Sequence, residues 1–350
     1  MLLRKNLYLT FQIGAVFIGT IVGAGLASGQ EISQFFTIYG YKSFIGIFIC
    51  CFIYIFMGRM VIDISLKYQL NSYDALIKLV SPGFVGHITN FFTTIFLMSS
   101  SAVILAGSGA LIHQYFGISR WFGIITMIFI SVFILFRDTK GLIEINSIIV
   151  PSLIIVICTI FILYLVFYKD INVTLLKTIP HYKKHWIFSS LIYGGFNILC
   201  CSGVLAPLSL EIKNKKVLTS GITIGSIGLT LLSIIINLLL LLNVPYVFKY
   251  EIPLLYIAHR FGNIIQMVLL LIIWLEMFST EVSDVYSVAK NLHEAFGISY
   301  KKSVILIMLI AIPISQIGFV KLISFLYPSF AIVSFIFMLQ CIVFYFTKKI

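Results

Sequence analysis

Apolar segments of membrane length follow one another from the beginning of this sequence to its end, separated by short polar joints. A helix needs about 20 apolar residues to cross the ~30 Å hydrocarbon core of a bilayer. Ten segments meet this requirement, near 7–38, 43–66, 84–113, 119–136, 142–168, 186–210, 217–243, 262–289, 302–317 and 321–346. Since 60% of the residues are hydrophobic and only 10% are charged, a soluble domain is excluded. The sequence predicts an all-α integral membrane protein with one domain over 1–350.

The basic residues lie at the ends of these segments instead of forming a patch, so the net charge of +12 does not indicate nucleic-acid binding. With a cytoplasmic N-terminus, the inner joints carry fifteen of the 24 Lys and Arg residues. Positive residues are enriched on the cytoplasmic side of membranes, which predicts that both termini are cytoplasmic. The expected location of the protein is the plasma membrane. The joint at 169–185, with four lysines on the outer side, departs from this pattern. The expected partners are the lipid bilayer and a small-molecule solute.

Five segments precede the joint at 169–185 and five follow it, so the two halves have opposite predicted orientations in the membrane. This arrangement is typical of an inverted repeat, here over about 7–168 and about 186–346. A shift of 180 residues aligns Gly14 with Gly194 and Gly23 with Gly203. The composition produces many chance identities, so the alignment is supported chiefly by glycines in the middle of both the first and the sixth segment.

The first segment contains the stretch GTIVGAGLASGQE, from Gly19 to Glu31. Glycine costs about 1 kcal/mol relative to alanine in a helix interior, and an ionised Glu in hydrocarbon costs several kcal/mol. Backbone groups freed from a helix are tolerated at this depth only inside the protein or beside a wet cavity. We therefore predict that the first helix is broken here, and that the sixth helix is broken at the Gly and Pro residues of 193–197 and 203–207. Close helix packing through GxxxG patterns is the alternative interpretation.

The first segment resembles the unwound first helix of carriers with the LeuT fold, in the amino acid-polyamine-organocation (APC) superfamily; the shared pattern is Gly19-x-x-Val22-Gly23-x-Gly25. The longer stretch GAGLASGQEISQFF, residues 23–36, resembles the YkvI-type membrane proteins of Gram-positive bacteria. This resemblance implies a LeuT-like fold with about ten helices in a five-plus-five inverted repeat, of which helices 1 and 6 are broken.

The resemblance also implies roles for individual residues. The carbonyl oxygens of Gly19 and Val22 are expected to face a cation. Four residues at the break are expected to border the solute: Ile21, Gly23, Ala24 and Gly25. Three side chains of the sixth segment are predicted to shape the pocket, with ordinary aromatic packing as the alternative: Tyr193, Phe196 and Asn197.

The eighth segment concentrates polar residues between apolar stretches. Helical spacing puts Glu276, Ser279, Thr280 and Ser283 on one face. Hydroxyl groups together with the carbonyls of an opened helix form an all-oxygen site that suits a hard cation, and LeuT-like carriers use this region for sodium. Ser279 and Thr280 match that hydroxyl pair. The alternative is that these hydroxyls bond back to carbonyls of their own helix.

Acidic residues in the predicted spans indicate coupling or gating. Glu31 either caps the second half of the broken helix or acts as a gating or proton-binding group. Glu276, Glu281 and Asp284 cannot all be ionised in hydrocarbon without partners. We assign coupling or gating roles to Glu31, Glu276 and Glu281, and proton coupling stays as open as sodium coupling.

These features predict a secondary active transporter for a small organic solute, an amino acid or related zwitterion or amine, that works by alternating access. The sequence has no phosphate-binding P-loop, nucleophile elbow or H-E-x-x-H motif, which argues against an ATP-driven pump and against an enzyme. No cofactor is expected other than sodium or a proton, and no further metal. The main alternative is a LeuT-fold solute sensor, similar to the permease-like subunits of spore germination receptors, that binds without net transport.

Overall fold

The computed structural model describes residues 2–136, 139–167 and 182–350. Across these ranges the regular structure is helical. The α-helices are α1 (Leu2–Ile21), α2 (Ala24–Ala27), α3 (Gln30–Phe35), α4 (Lys42–Tyr68), α5 (Tyr73–Val80), α6 (Phe84–Phe116), α7 (Arg120–Leu135), α8 (Thr139–Phe167), α9 (Trp186–Ile212), α10 (Lys215–Leu241), α11 (Pro253–His259), α12 (Asn263–Phe296), α13 (Tyr300–Ser315) and α14 (Phe319–Thr347). Two short 3-10 helices lie at Thr37–Tyr39 and Tyr246–Lys249.

Six helices of the described ranges are long and apolar enough to cross a membrane: Lys42–Tyr68, Phe84–Phe116, Ile148–Phe167, Trp186–Ile212, Lys215–Leu241 and Asn263–His293. The pair of Tyr300–Ser315 and Phe319–Leu326, bent by 104°, would be a seventh. Shorter apolar helices lie at Asn6–Ile21, Arg120–Leu135 and Ile332–Thr347. The all-α membrane architecture is confirmed, whereas the count of ten spans stays a prediction.

The domain boundaries and the cytoplasmic position of the termini also stay predictions. Much of the joint at 169–185, including Lys169 and Lys177, lies outside the described residues. The solvent-accessible surface of the helix bundle carries large apolar side chains: Phe52 and Phe129 are each 73% exposed, and Ile264 is 81% exposed. Such a surface is unfavourable in water and is covered by lipid in a bilayer.

The 180-residue repeat is visible in two consecutive pairs of helices. Helix α6 has 33 residues and α12 has 34, and each ends at a glycine with positive φ, Gly117 at +69° and Gly297 at +67°. Each is followed by a helix of 16 residues, α7 and α13. His113 Nδ1 lies 2.8 Å from the carbonyl oxygen five residues later, and His293 Nδ1 lies 3.0 Å from the equivalent oxygen. The two halves therefore share the same turn with the same side-chain hydrogen bond.

The sixth predicted span is not broken, because α9 is one helix of 27 residues. This corrects the prediction of a second break. A Cβ at Gly194 would lie 2.9 Å from Ile53 Cδ1, and a Cβ at Gly203 would lie 2.6 Å from Ser287 Oγ. Pro207 is accommodated inside the helix, in its last two turns. The glycines of α9 therefore allow close helix packing, and of the two spans predicted to be broken the first alone is interrupted.

The interrupted first span lies inside the bundle. Helix α1 packs against α8, α9, α10 and α12, and the short α2 contacts α6 and α12. Helix α3 contacts α9, α10 and α14. This arrangement brings the break next to the middle of α12, where the polar residues of the eighth segment lie.

Candidate functional site

The chain between α1 and α3 leaves the helical path twice. Helix α1 ends at Ile21, and the extended Gly23, with φ −93° and ψ −162°, precedes α2. After α2, Gly29 adopts a φ of +81° before α3 begins at Gln30. Glycine adopts this left-handed conformation without the steric cost that a Cβ imposes. The predicted break of the first helix is confirmed, and it is followed by a second interruption at Gly29.

The Thr280 side chain of α12 reaches the first interruption. Its Oγ1 lies 3.1 Å from the carbonyl oxygen of Gly19, 3.0 Å from that of Val22 and 3.2 Å from that of Glu276. A hydroxyl has one proton, so it donates to one carbonyl at a time. The cluster consequently has more oxygen acceptors than the Thr280 hydroxyl can satisfy at once, and oxygen atoms are the ligands that hard cations prefer.

Three of the four predicted ion-binding residues are therefore together: Gly19, Val22 and Thr280. Ser279 is also fully buried, and its carbonyl oxygen accepts the Ser283 hydroxyl at 3.0 Å. Ser283 thus bonds back to its own helix, whereas the role of the Ser279 hydroxyl stays a prediction. The Thr280 hydroxyl fits both the back-bonding and the ion-site interpretations. It contacts the Glu276 carbonyl of its own helix and also the Gly19 and Val22 carbonyls of the first span.

A cavity of ≈ 20 Å³ lies beside the break, between the first span, α6, α9 and α12. This volume holds about one water molecule. Five of the seven predicted solute-binding residues line it: Ile21, Gly23, Ala24, Phe196 and Asn197. The lining also includes residues that were not predicted as solute ligands: Thr20, Glu31, Phe96, Ser100, Val103, Ile104, Cys200, Thr280 and Asp284.

The other two predicted solute-binding residues, Gly25 and Tyr193, lie behind this lining and hold Glu31. A Cβ at Gly25 would overlap the Glu31 carboxyl group, so the side chain of Glu31 can pack there only against glycine. The Tyr193 hydroxyl donates to Glu31 Oε2 at 3.0 Å. Glu31 is 2% exposed and lines the cavity, while the N-cap position of α3 is Gly29. Glu31 also lies in the first turn of α3, so stabilisation of that helix and a gating or proton-binding role both stay predictions.

Aromatic side chains close the cavity at the α3 end. The ring of Tyr193 lies 5.3 Å from Phe35, 5.0 Å from Phe36 and 5.1 Å from Phe196, measured between centroids. The Ser189 hydroxyl donates to the Phe35 carbonyl oxygen at 2.8 Å and so ties α3 to α9. The contacts of Tyr193 with Phe36 and Phe196 are edge-to-face, and such contacts add about 0.5–1.5 kcal/mol each beyond their apolar burial.

A polar network closes the opposite end, between α5, α6 and α12. The Asn291 amide donates to the Tyr73 hydroxyl at 2.5 Å and to Thr94 Oγ1 at 3.0 Å. Asn90 donates to Asp74 at 2.6 Å, and Asp74 forms an ion pair with a surface lysine at 2.7 Å. Burial raises the pKa of the Tyr73 hydroxyl, which therefore stays protonated. The cavity is thus enclosed by apolar contacts on one side and by hydrogen bonds on the other.

Between these two ends, serines of α6 bind the acidic residues of α12. Ser101 donates to Glu281 Oε1 at 2.5 Å, and Ser100 hydrogen-bonds to the Asp284 carboxyl group. Ser101 and Glu281 are 180 residues apart, so each contacts its own counterpart in the repeat. Glu276 is fully buried, and neither of its carboxyl oxygens has a hydrogen-bond partner in the described ranges. The serine partners were missed in the sequence, where the run Ser99–Ser101 opposite 279–281 was their only signal.

The sequence has a close relative among proteins of Bacillus subtilis (strain 168). It is 31% identical to the uncharacterized membrane protein YkvI over 328 residues, which cover 93% of each chain. The chain belongs to the YkvI family of membrane proteins. No protein-family model matches it.

Solved transporter structures share the fold of this YkvI-family protein. A Na⁺-coupled sialic acid symporter, in a substrate-bound outward-open state, has a TM-score of 0.69 at 14% identity, covering 95% of this chain and 78% of the symporter. MhsT in complex with L-phenylalanine has a TM-score of 0.67 at 14% identity, covering 95% of this chain and 87% of MhsT. The predicted LeuT-like fold is confirmed.

Proposed function

We propose that this YkvI-family protein is a secondary active transporter that moves a small organic solute, an amino acid or related zwitterion or amine, by alternating access coupled to sodium or protons. The observation that supports it most is the position of Thr280. This residue lines the cavity and also contacts the Gly19 and Val22 carbonyls. A cation at those oxygens and a solute in the cavity would therefore share one side chain, and shared contacts couple the two binding free energies.

The two ends of the cavity are built differently, which supports alternating access. Aromatic contacts join α3 to α9 at one end, and hydrogen bonds around Asn291 join α5, α6 and α12 at the other. Since the two closures share no residue, one can open while the other stays closed. A transporter needs two such independent gates.

The choice of coupling ion rests on two sets of oxygens. The cluster around Thr280 suits sodium, and the related fold of a Na⁺-coupled sialic acid symporter adds weight to this choice. The buried carboxyl groups of Glu276 and Glu281 suit proton binding. The proposal assigns no enzymatic reaction to the protein.

Gradient-driven uptake tests the proposal. The purified full chain is first screened by thermal unfolding against amino acids and amines, with and without sodium, because a ligand of the folded state raises the unfolding temperature. The stabilising solute is then labelled and offered to proteoliposomes under an inward sodium gradient or an inward proton gradient. We expect accumulation above equilibrium under one of them. Saturable binding with no accumulation under either gradient would favour the sensor and overturn the proposal.

A further inference from the structure

Among Asp, Glu, Lys, Arg and His, the buried residues around the cavity are all acidic in the described part of the chain. Four carboxyl groups are buried here: Glu31, Glu276, Glu281 and Asp284. Among the residues that the structure describes, no Lys, Arg or His side chain is buried, and none lines the cavity. The two other buried acids lie away from the cavity and have basic partners, Asp63 with Lys215 at 2.8 Å and Asp74 with Lys78 at 2.7 Å. The centre therefore lacks the positive charge that balances the acids elsewhere.

Asp284 presents an unused oxygen at this cavity. Its carboxyl group is 2% exposed, hydrogen-bonds to Ser100 and lines the cavity. Its Oδ2 atom has no hydrogen-bond partner within the described part of the chain. Glu31 lines the same cavity from α3. An uncompensated charge in the interior costs several kcal/mol, so a proton or a bound cation has to balance it.

The remaining walls favour an organic cation. Phe96 and Phe196 line the cavity with their rings 6.1 Å apart, together with the aliphatic side chains of Ile21, Val103 and Ile104. Aromatic faces attract ammonium groups, by about 0.5–2 kcal/mol each. No group of three or more His, Cys, Asp or Glu in the described residues is arranged to hold a metal ion. Carboxylates combined with aromatic and aliphatic walls match an ammonium group on a short apolar body.

Resting on the proposed function, we infer that the transported solute is a small organic amine that is positively charged at neutral pH and has no carboxylate, with Asp284 and Glu31 as its partners. A zwitterion adds no net charge beside the unpartnered Oδ2 of Asp284, whereas an amine balances the charge of that carboxylate. The enclosed volume of ≈ 20 Å³ requires the walls to move outward on binding. On binding, we expect the aromatic side chains that pack together at the α3 end to move apart.

Matched pairs of compounds test this inference, because each pair differs only in the carboxylate. Thermal unfolding of the purified full chain is measured with 3-methylbutylamine and leucine, phenethylamine and phenylalanine, and cadaverine and lysine. We expect at least one amine to raise the unfolding temperature with an apparent Kd more than about tenfold below that of its amino acid. Asp284→Asn and Glu31→Gln should each raise the apparent Kd for that amine by about tenfold or more. Glu251→Gln, at an acid that is 35% exposed and paired with Arg120, is the matched control and should leave amine binding unchanged.

The wild-type comparison decides the question even where a cavity variant fails to fold. Stabilisation by an amino acid without stabilisation by its amine overturns the inference and leaves the proposed transporter standing. Equal stabilisation by potassium chloride or manganese chloride alone overturns it in favour of an inorganic cation. The inference is also overturned if none of the amines stabilises the protein. In that case the measurement of gradient-driven uptake tests the proposed function separately.

Discussion

The first spans of the two halves differ although both carry glycines in their middle. The first span opens at Val22 and Gly23, whereas α9 runs unbroken through Gly203. A glycine costs a helix only about 1 kcal/mol, which does not open it unless the freed backbone finds partners. Such partners exist at the first span, where Thr280 contacts two carbonyls of α1 and the Leu254 amide donates to the Ser28 carbonyl oxygen at 3.0 Å. Whether a glycine-rich span opens therefore depends on the hydrogen bonds that neighbouring helices offer to its freed backbone groups.

This contrast predicts the largest effect for Thr280→Ala. The substitution removes the hydroxyl that the Gly19 and Val22 carbonyls share, and an unsatisfied buried polar group costs about 1–3 kcal/mol. We expect gradient-driven uptake to fall by more than about tenfold and the unfolding temperature to drop. Thr280→Ser keeps the hydroxyl and should retain most of the uptake. Ser283→Ala, one turn along α12, is the matched control, and equal losses in both alanine variants would show that the break has no special dependence on Thr280.

In the unbroken helix α9, the same comparison predicts that Gly203 is needed for close packing. A Cβ there would meet Ser287, so Gly203→Ala should destabilise the protein by about 1–3 kcal/mol through overpacking. Because the contact is with one side chain, the cost should shrink when Gly203→Ala is made in a Ser287→Gly background. Thermal unfolding of the four proteins of this cycle measures the difference. The same cost in both backgrounds would mean that Gly203 serves something other than packing.

The second interruption of the first span predicts a conformational cost at Gly29. Its φ of +81° should make Gly29→Ala less stable by about 1–2 kcal/mol, since a Cβ disfavours this region. Gly228→Ala in α10 is the control, because Gly228 is helical and its Cβ would meet only the end of the Ile18 side chain at 3.3 Å. Unfolding temperatures are compared. A Gly228 variant that is destabilised as much as the Gly29 variant would contradict the role of the left-handed residue.

The smallest effect is expected for Tyr193→Phe. This change removes the hydrogen bond to Glu31 and leaves the aromatic packing, at a cost of about 0.5–1.5 kcal/mol. Tyr8→Phe, at a tyrosine that is 65% exposed, should change nothing. Chemical or thermal unfolding of the two variants measures the difference. A Tyr193 variant as stable as the Tyr8 variant would show that the hydroxyl does not hold the Glu31 carboxylate.

The break of the first span was predictable because glycines and a glutamate are costly in a lipid-facing helix, and the predicted contacts of Thr280 with Gly19 and Val22 followed from the family resemblance. The continuity of α9 was not predictable, because a glycine that permits packing and a glycine that permits opening look alike in a sequence. The pairing of Ser100 with Asp284 was missed for a related reason. Such a contact joins residues far apart in the chain and depends on how α6 and α12 face each other.

Solute counterflow tests the central claim most directly, because it needs no ion gradient. Proteoliposomes preloaded with the unlabelled solute are diluted into medium that contains a trace of labelled solute. If the solute cavity lies between the broken first span and α12, the wild-type protein should accumulate label transiently, and Thr280→Ala should accumulate more than about tenfold less. Saturable binding of the solute to the purified protein, with no label accumulating in sealed vesicles, would contradict the account.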